Sequence, residues 1–358
     1  MNPSAATAML GMMNDPTFGR EFTHGPEVTW VGPNPFADGI LLGFDDGSIE
    51  FSDLATSDSK PQPVSKAKES INGIAAIGKN SLAVSTRSDV TFLQLEGPAE
   101  DTPTVFAGGA HGVISTQSGY FIAPLGMNGL LIVKPDPDAN SKHEMTVTTG
   151  MNNLYFYRMA VLRDTAGTEV LIFANRKNGV GVSPFHGAQK GGNIRSMRYE
   201  GLDVVDVCAV STGSLSAVAI SSRGEVLWLK DASKRDKPLV MRLPSVEGQV
   251  YRVLATTRHL FVLSSKALYV WIDLVGSVLR NENFSRQSVP YVVRIEAVDM
   301  SLLNDDTLML VMGTNSIKGF KIADIIGNSV NMSRISQLED FTPRWVSEDV
   351  EQSQKVGA

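Results

Sequence analysis

The feature that most constrains this chain is a repeated pattern of an apolar strand, a short polar corner and a second apolar strand. In the first copy, the corner Asp45-Asp46-Gly47-Ser48 separates the runs GILLGF and IEF. Six later corners follow the same pattern and centre on Ser88, Asn128-Gly129, Asn178-Gly179, Arg223-Gly224, Lys266 and Asn315. A pattern that recurs at a fixed period predicts a radial or stacked repeat architecture.

The corners recur at the spacing of propeller blades. Gly47, Ser88 and Gly129 follow one another at intervals of 41 residues, and Gly179, Gly224 and Lys266 at intervals of 45 and 42. Four-stranded blades repeat at about 40–45 residues. Short apolar runs dominate and helical periodicity is almost absent, so we predict an all-β fold, a seven-bladed β-propeller of four-stranded antiparallel blades. The half-exposed fourth strands are expected in polar links such as residues 64–68 and 239–243.

Composition excludes several classes of protein. Of the 358 residues, 42% are hydrophobic and 20% charged, as in ordinary globular chains, and no apolar run is long enough to span a bilayer. The first 20 residues lack the basic region of a signal peptide, and a lone Cys208 permits no intrachain disulfide, so we expect a cytoplasmic protein. Cys208 lies in an apolar run and is predicted to be buried. The net charge of -6 argues against a generally basic, nucleic-acid-coating surface.

The first repeat resembles a WD40 repeat. His24-Gly25 precedes the inner strand, a glycine lies in the next turn, and Phe51-Ser52-Asp53 stands where that family has an aromatic-Asp pair. The other units keep the spacing but mostly lose the His and the Asp. The chain is therefore similar to WD40-like seven-bladed propellers over residues 20–324. That resemblance implies a non-enzymatic scaffold that presents loops from one face to another macromolecule.

The predicted domain organisation has three parts. Residues 1–19 are an N-terminal extension, residues 20–338 form the propeller, and residues 339–358 are an acidic tail containing Phe341 and Trp345. In WD40-like proteins the N-terminal strand commonly completes the last blade. Residues 19–23 and residues 330–335 are both candidates for that position. The tail either docks across the ring or is flexible, and it is also a candidate docking peptide within a larger assembly.

Aligning the units predicts a locally basic face. Arg158, Arg252 and Arg294 fall at the same place on the inner strands of units four, six and seven, and Asp206 takes that place in unit five. Equivalent positions of a radial repeat form a ring around its axis. The corners on the same side carry further basic residues, namely Arg87, Arg176, Lys177, Arg223 and Lys266.

Arginine pairs carboxylate and phosphate groups in a bidentate manner, so this face predicts a protein partner that is acidic or phosphorylated. A nucleic acid is the alternative partner. The competing interpretation is that Arg158, Arg252 and Arg294 are paired with Asp206, Glu296 and neighbouring carboxylates, because buried charges are usually paired.

Catalytic signals are weak. None of the five His residues forms an HExxH motif, and neither Gly108-Gly109 nor Gly191-Gly192 precedes the Lys-Ser/Thr of a phosphate loop. We therefore predict no catalytic residue, cofactor or metal, and a propeller that is monomeric by itself. The alternative function is a propeller enzyme or sugar-binding module that uses the axial channel. Asp206 and Asp299 would be its ligands, although a structural role in accepting hydrogen bonds is the competing interpretation.

Overall fold

The structure of the chain is a computed structural model. It describes residues 18–22, 25–37, 39–53, 62–77, 80–95, 104–106, 108–134, 144–149, 156–175, 179–185, 194–198, 202–210, 213–242, 247–272, 275, 290–313, 315–327, 330–331, 336–337, 344–348 and 352–355. Within these ranges the chain is almost entirely β-strand, arranged in seven antiparallel sheets.

Each sheet is one blade, and its strands follow the chain outward from the innermost strand. Blade one contains β2 (Val28–Pro33), β3 (Ile40–Phe44), β4 (Ser48–Ser52) and β5 (Gln62–Lys66). Blade two contains β6 (Ile71–Ile77), β7 (Ser81–Thr86), β8 (Val90–Gln94) and β9 (Thr104–Phe106). Blade three contains β10 (Ile114–Ser115), β11 (Phe121–Pro124), β12 (Leu130–Lys134) and β13 (Glu144–Thr149).

The next three blades repeat this order. Blade four contains β14 (Phe156–Arg163), β15 (Glu169–Asn175), β16 (Gly179–Phe185) and β17 (Ile194–Arg198). Blade five contains β18 (Val204–Ala209), β19 (Ala217–Ser221), β20 (Glu225–Leu229) and β21 (Leu239–Arg242). Blade six contains β22 (Val250–Ala255), β23 (His259–Ser264), β24 (Ala267–Ile272) and β25 (Tyr291–Arg294).

Blade seven joins the two ends of the propeller. Its first three strands are β26 (Ala297–Asn304), β27 (Thr307–Met312) and β28 (Ser316–Lys321), and its outermost strand is the N-terminal β1 (Phe18–Glu21). β1 runs antiparallel to β28, with Phe18 opposite Gly319 and Glu21 opposite Ser316. Of the two segments that competed for this position, the N-terminal one therefore occupies it. The innermost strands of successive blades contact one another, and β26 contacts β2, so the ring is closed.

The C-terminal segment runs back around the outside of the ring. After a short helix, α1 (Ile322–Gly327), it forms β29 (Val330–Asn331), β30 (Ser336–Gln337), β31 (Arg344–Glu348) and β32 (Gln352–Lys355). These strands pair with β25, β21, β17 and β13, and so add a fifth strand to blades six, five, four and three in turn. The predicted boundary at residue 338 thus falls between two strands that both lie on the propeller.

The apolar core is divided among the blade interfaces. Buried residues form seven clusters, and each cluster contains side chains from two neighbouring blades. Trp228 and Trp271, for example, lie in the cluster between blades five and six. A single blade is a thin sheet that cannot cover its own apolar faces. Stacking against two neighbours buries both faces, and this explains why all the units share one fold.

The predicted seven-bladed propeller is confirmed, but the alignment of Arg294 with Arg158 and Arg252 is wrong. Arg294 ends β25, the outer strand of blade six, and β26 of blade seven begins at Ala297. Only Ile295 and Glu296 separate the two strands. Because this link is so short, residues 292–298 contain no turn signal and read as a single strand. Asp299 is the residue of blade seven that corresponds to Arg252.

Candidate partner-binding face

One end of the propeller gathers the corners and the starts of the innermost strands; we call it the corner face. Backbone hydrogen bonds link the two sets of loops within a blade. The N–H of Asp45 donates to the carbonyl of Glu27 at 2.9 Å, and that of Ser265 donates to Gln249 at 2.8 Å. A fixed set of loops on rigid blades provides a broad surface for recognition.

A β-bulge is repeated at the corner-face end of the innermost strands. The register shifts at this place in β2, β6, β14, β18, β22 and β26. Bulges re-aim the side chains beside them. The residues just after the extra position in the four last blades are Arg158, Asp206, Arg252 and Asp299. Positive and negative side chains therefore alternate around this part of the ring.

Arg252 joins three blades through two carboxylates. Its guanidinium Nη1 lies 3.5 Å from Oδ1 of Asp206, and its Nε lies 2.7 Å from Oδ1 of Asp299. Asp206 also accepts the N–H of Val253 at 2.9 Å through Oδ2. The short Nε contact is an ion pair without an aligned N–H···O hydrogen bond. These contacts connect blades five, six and seven beside the axis.

Charge and burial oppose each other in this network. Burial tends to lower the pKa of Arg252, but the carboxylates of Asp206 and Asp299 outweigh it and raise that pKa, so Arg252 stays charged. Burial raises the pKa of Asp206, while the guanidiniums of Arg252 and Arg158 act in the opposite direction. Arg252 is therefore a structural cation. Removing it would leave two carboxylates uncompensated, one of them fully buried.

The predicted basic residues separate into paired and unpaired groups. Lys266 lies 3.3 Å from Oε1 of Glu296, and Arg294 lies 3.3 Å from Oε2 of Glu247. Arg87 and Arg223 are exposed in their corners, and no carboxylate of the described ranges forms an ion pair with either. Arg176 and Lys177 lie outside the described residues.

Acidic side chains share the corner face, so it is not uniformly basic. Lys66 pairs with Oδ2 of Asp46 at 2.9 Å. A side-chain hydrogen bond from Ser48 is the main cause that lowers the pKa of Asp46 to about 2. Exposed ion pairs such as this one contribute little stability. They do neutralise the surface around them, and this leaves the unpaired arginines as the local positive charges.

Of these arginines without an ion pair, Arg158 is the one that lies beside aromatic side chains. It is half-buried, and its guanidinium lies 5.7 Å from the ring centre of Tyr157. Its charge acts on Asp206, but no carboxylate of the described part of the chain forms an ion pair with it. Tyr157 also contacts the ring of His111, with centroids 5.1 Å apart. Arginine and tyrosine are enriched among the residues that dominate binding energy at protein interfaces.

A neighbouring corner adds an exposed apolar side chain. Gly126 and Phe156 exchange two backbone hydrogen bonds of 3.1 Å, which hold the β11–β12 corner against the start of β14. Met127, the next residue in that corner, is 76% exposed. We did not predict Met127, His111 or Tyr157 from the sequence. A large apolar residue between Gly126 and Asn128-Gly129, where turn residues predict a solvent-exposed corner, is the signal that points to Met127.

Other candidate chemistry finds little support. Cys208 is buried among apolar residues, and burial raises the pKa of its thiol well above the usual range, so it is a poor nucleophile. In the portions of the chain described above, no group of three or more His, Cys, Asp or Glu side chains is placed to hold a metal ion. Those portions also contain no helix with the length and apolar character needed to cross a membrane.

Comparison with known proteins identifies the fold and no closer relationship. No family model and no curated protein matches the chain. Among solved structures, 1285 chains match, so the fold is a common one and the match by itself assigns no function.

One of these structures is the β-propeller domain of Cps50 (Swd1) from Myceliophteria thermophila. It aligns with a TM-score of 0.60 and 13% sequence identity over 85% of this chain and 100% of the domain. At that identity the similarity concerns the fold alone. The resemblance predicted from the first repeat is confirmed at that level: the chain folds as a WD40-like seven-bladed β-propeller.

Proposed function

We propose that this chain is a non-enzymatic protein-interaction scaffold, a subunit of a larger complex whose corner face binds an acidic or phosphorylated segment of a protein partner. The observation that carries the proposal is Arg158, a half-buried cation that forms no ion pair with a carboxylate of the described residues, together with the exposed Met127 in the corner that is held against the start of β14. A partner that supplies both a carboxylate or phosphate and an apolar side chain fits this pair.

The proposed contact set is smaller than the one expected from the sequence. Arg158, Arg87 and Arg223 remain as partner-binding residues, whereas Arg252, Lys266 and Arg294 already have carboxylate partners. Arg176 and Lys177 stay predictions, and so does a cytoplasmic location. The alternative of an enzyme or sugar-binding module in the axial channel is disfavoured, because Asp206 and Asp299 both contact Arg252.

The test uses acidic peptides with and without phosphate. An array of fluorescein-labelled peptides that combine glutamate or phosphoserine with one large apolar residue is measured by anisotropy against the full chain. Arg158→Glu is expected to weaken the best peptide by more than about tenfold, since it replaces a bidentate donor by a like charge. Met127→Ser is expected to have a smaller effect, because it removes only the apolar contact.

Arg258→Glu is the matched control. Arg258 is exposed in the β22–β23 turn, at the end of blade six opposite the corner face. Arg258→Glu changes the net charge of the protein by the same amount as Arg158→Glu and is expected to leave peptide binding unchanged. Equal losses in Arg158→Glu and Arg258→Glu would point to non-specific charge attraction and would contradict the proposal. So would a folded Arg158→Glu variant that keeps full affinity.

A further inference from the structure

The outer edges of the blades are protected in two different ways. In blade one the edge strand β5 contains Pro63 and ends in Lys66, and in blade two the edge strand β9 has only three residues. In blade seven the edge strand β1 contains the charged Arg20 and Glu21. Proline, charge and short length all prevent an edge from pairing with another chain.

The outer strands of blades three to six contain no proline and are longer than β9, although each contains at least one charged residue. They are β13 (EMTVTT), β17 (IRSMR), β21 (LVMR) and β25 (YVVR), with four to six residues each. These are the four edges that the C-terminal segment covers. β31 pairs with all of β17, from Arg344 opposite Arg198 to Glu348 opposite Ile194. β32 pairs with β13, from Gln352 opposite Thr149 to Lys355 opposite Thr146.

We propose that the outer edges of blades three and four form a strand-docking surface whose partner is the tail of a second copy of this chain. An antiparallel strand is held mainly by backbone hydrogen bonds, so an edge that accepts its own tail accepts the identical tail of another molecule. A second copy carries the strand already complementary to these edges in register. Exchange of an identical element between protomers is a low-cost route to a dimer. This surface lies at the circumference and does not depend on the proposed function of the corner face.

A full-length variant whose tail strands cannot pair leaves the outer edges of blades three and four open. Val346→Pro and Ser353→Pro each place a proline within a tail strand, where it removes a backbone donor and restricts the strand. A labelled peptide of residues 339–358 is then titrated against the double variant and against the wild-type chain. The double variant is expected to bind the peptide at least about tenfold more tightly, because the wild-type edges are already occupied. A peptide with the same two prolines is expected to bind at least about tenfold more weakly.

The matched control carries two prolines outside the named strands. Asp349→Pro and Glu351→Pro lie between β31 and β32, and this variant is expected to behave as the wild-type chain does. A folded Val346→Pro/Ser353→Pro chain that fails to bind the peptide would overturn the proposal. Equal binding of the normal and proline-containing peptides would also overturn it, because the peptide would then not bind by strand pairing.

The second copy is tested with intact chains. Tagged Val346→Pro/Ser353→Pro chain, which offers open edges, is incubated with untagged wild-type chain, which offers a competent tail, and the tagged chain is recovered. Recovery of the wild-type chain, and its loss when excess peptide 339–358 is added, would support the proposal. Peptide binding without recovery of the wild-type chain would show that a second copy is not the occupant and would overturn the assignment.

Discussion

Asn315 is predicted to control the closure of the ring. It lies in the β27–β28 corner of blade seven with a φ of 55°, the only non-glycine residue with positive φ in the described ranges. Its Oδ1 accepts the N–H of Val28 at 2.9 Å, and its Nδ2 donates to the carbonyls of Phe22 at 3.1 Å and Pro26 at 3.2 Å. Its own carbonyl accepts the N–H of Phe22 at 3.1 Å. One side chain thus fastens the last blade to the segment that links β1 and β2.

The expected cost follows from these contacts. Asn315→Ala removes three side-chain hydrogen bonds, which contribute about 2–4 kcal/mol together at the usual net value for each. Alanine in the left-handed region adds about 1 kcal/mol of backbone strain. Asn315→Gly removes the same bonds without that strain. We therefore expect Asn315→Ala to be the less stable variant, by about 1 kcal/mol.

Hydrogen exchange gives a local measurement of the effect. The amides of Phe22 and Val28 are hydrogen-bonded to Asn315, so their protection reports the opening of the closure directly. A loss of about 2 kcal/mol corresponds to roughly thirtyfold faster exchange when exchange follows the opening equilibrium. Urea unfolding, followed by tryptophan fluorescence, measures the effect on the whole propeller.

Asn304→Ala is the matched control, since Asn304 is an exposed residue at the end of β26 in the same blade. Its side chain accepts one hydrogen bond, from the N–H of Asp306 at 2.9 Å. We expect a loss below about 1 kcal/mol. The reasoning would be refuted if Asn315→Ala were no more destabilising than Asn304→Ala, or if exchange at Phe22 and Val28 were unchanged.

Three further predictions concern contacts between strands and blades. Gly109→Ala would place Cβ 1.7 Å from the carbonyl oxygen of Arg87, so we expect a loss of about 1–3 kcal/mol in thermal unfolding, whereas Gly25→Ala, with nothing within 4 Å, should be neutral. Burial acts to raise the pKa of Glu169, but Arg163, the N–H of Gln117 and Ser118 lower that pKa overall, so the contribution of Glu169 to stability is complete above the ordinary glutamate range and is lost as the pH falls. The urea midpoint of the wild-type chain should therefore fall more steeply with decreasing pH than the midpoint of Glu169→Gln, and parallel curves would contradict this. Arg252→Met should lower the free energy of unfolding by about 3–5 kcal/mol, because it leaves the carboxylates of Asp206 and Asp299 uncompensated. Adding Asp206→Asn and Asp299→Asn should restore part of the urea midpoint, and a triple variant no more stable than Arg252→Met would refute the pairing.

The candidate face was partly predictable because equivalent positions in a repeat have equivalent surroundings. The alignment of Arg158, Asp206 and Arg252 follows from strand spacing alone, and the bulge places them together at the start of the innermost strands. The pairing of Arg252 with Asp206 was the competing interpretation from the sequence, and it is confirmed. The second partner of Arg252, Asp299, was not predicted, because it comes from the next blade, more than forty residues away. Arg294 shows the limit of the approach. A two-residue link between strands leaves no turn signal to separate the outer strand of one blade from the inner strand of the next.

Sequence by itself determined the blade, because antiparallel strands joined by short corners are a local pattern in which alternating apolar residues and turn residues lie close along the chain. The number of copies of that pattern, seven, then determined the number of blades. Only the tertiary structure decided how the ring closes and where the tail lies, because β1 pairs with β28 almost 300 residues away and β31 and β32 return to blades four and three. Such pairings depend on which sheet edges are left open once all the blades have packed. That property belongs to the assembled ring and to no single segment of the chain.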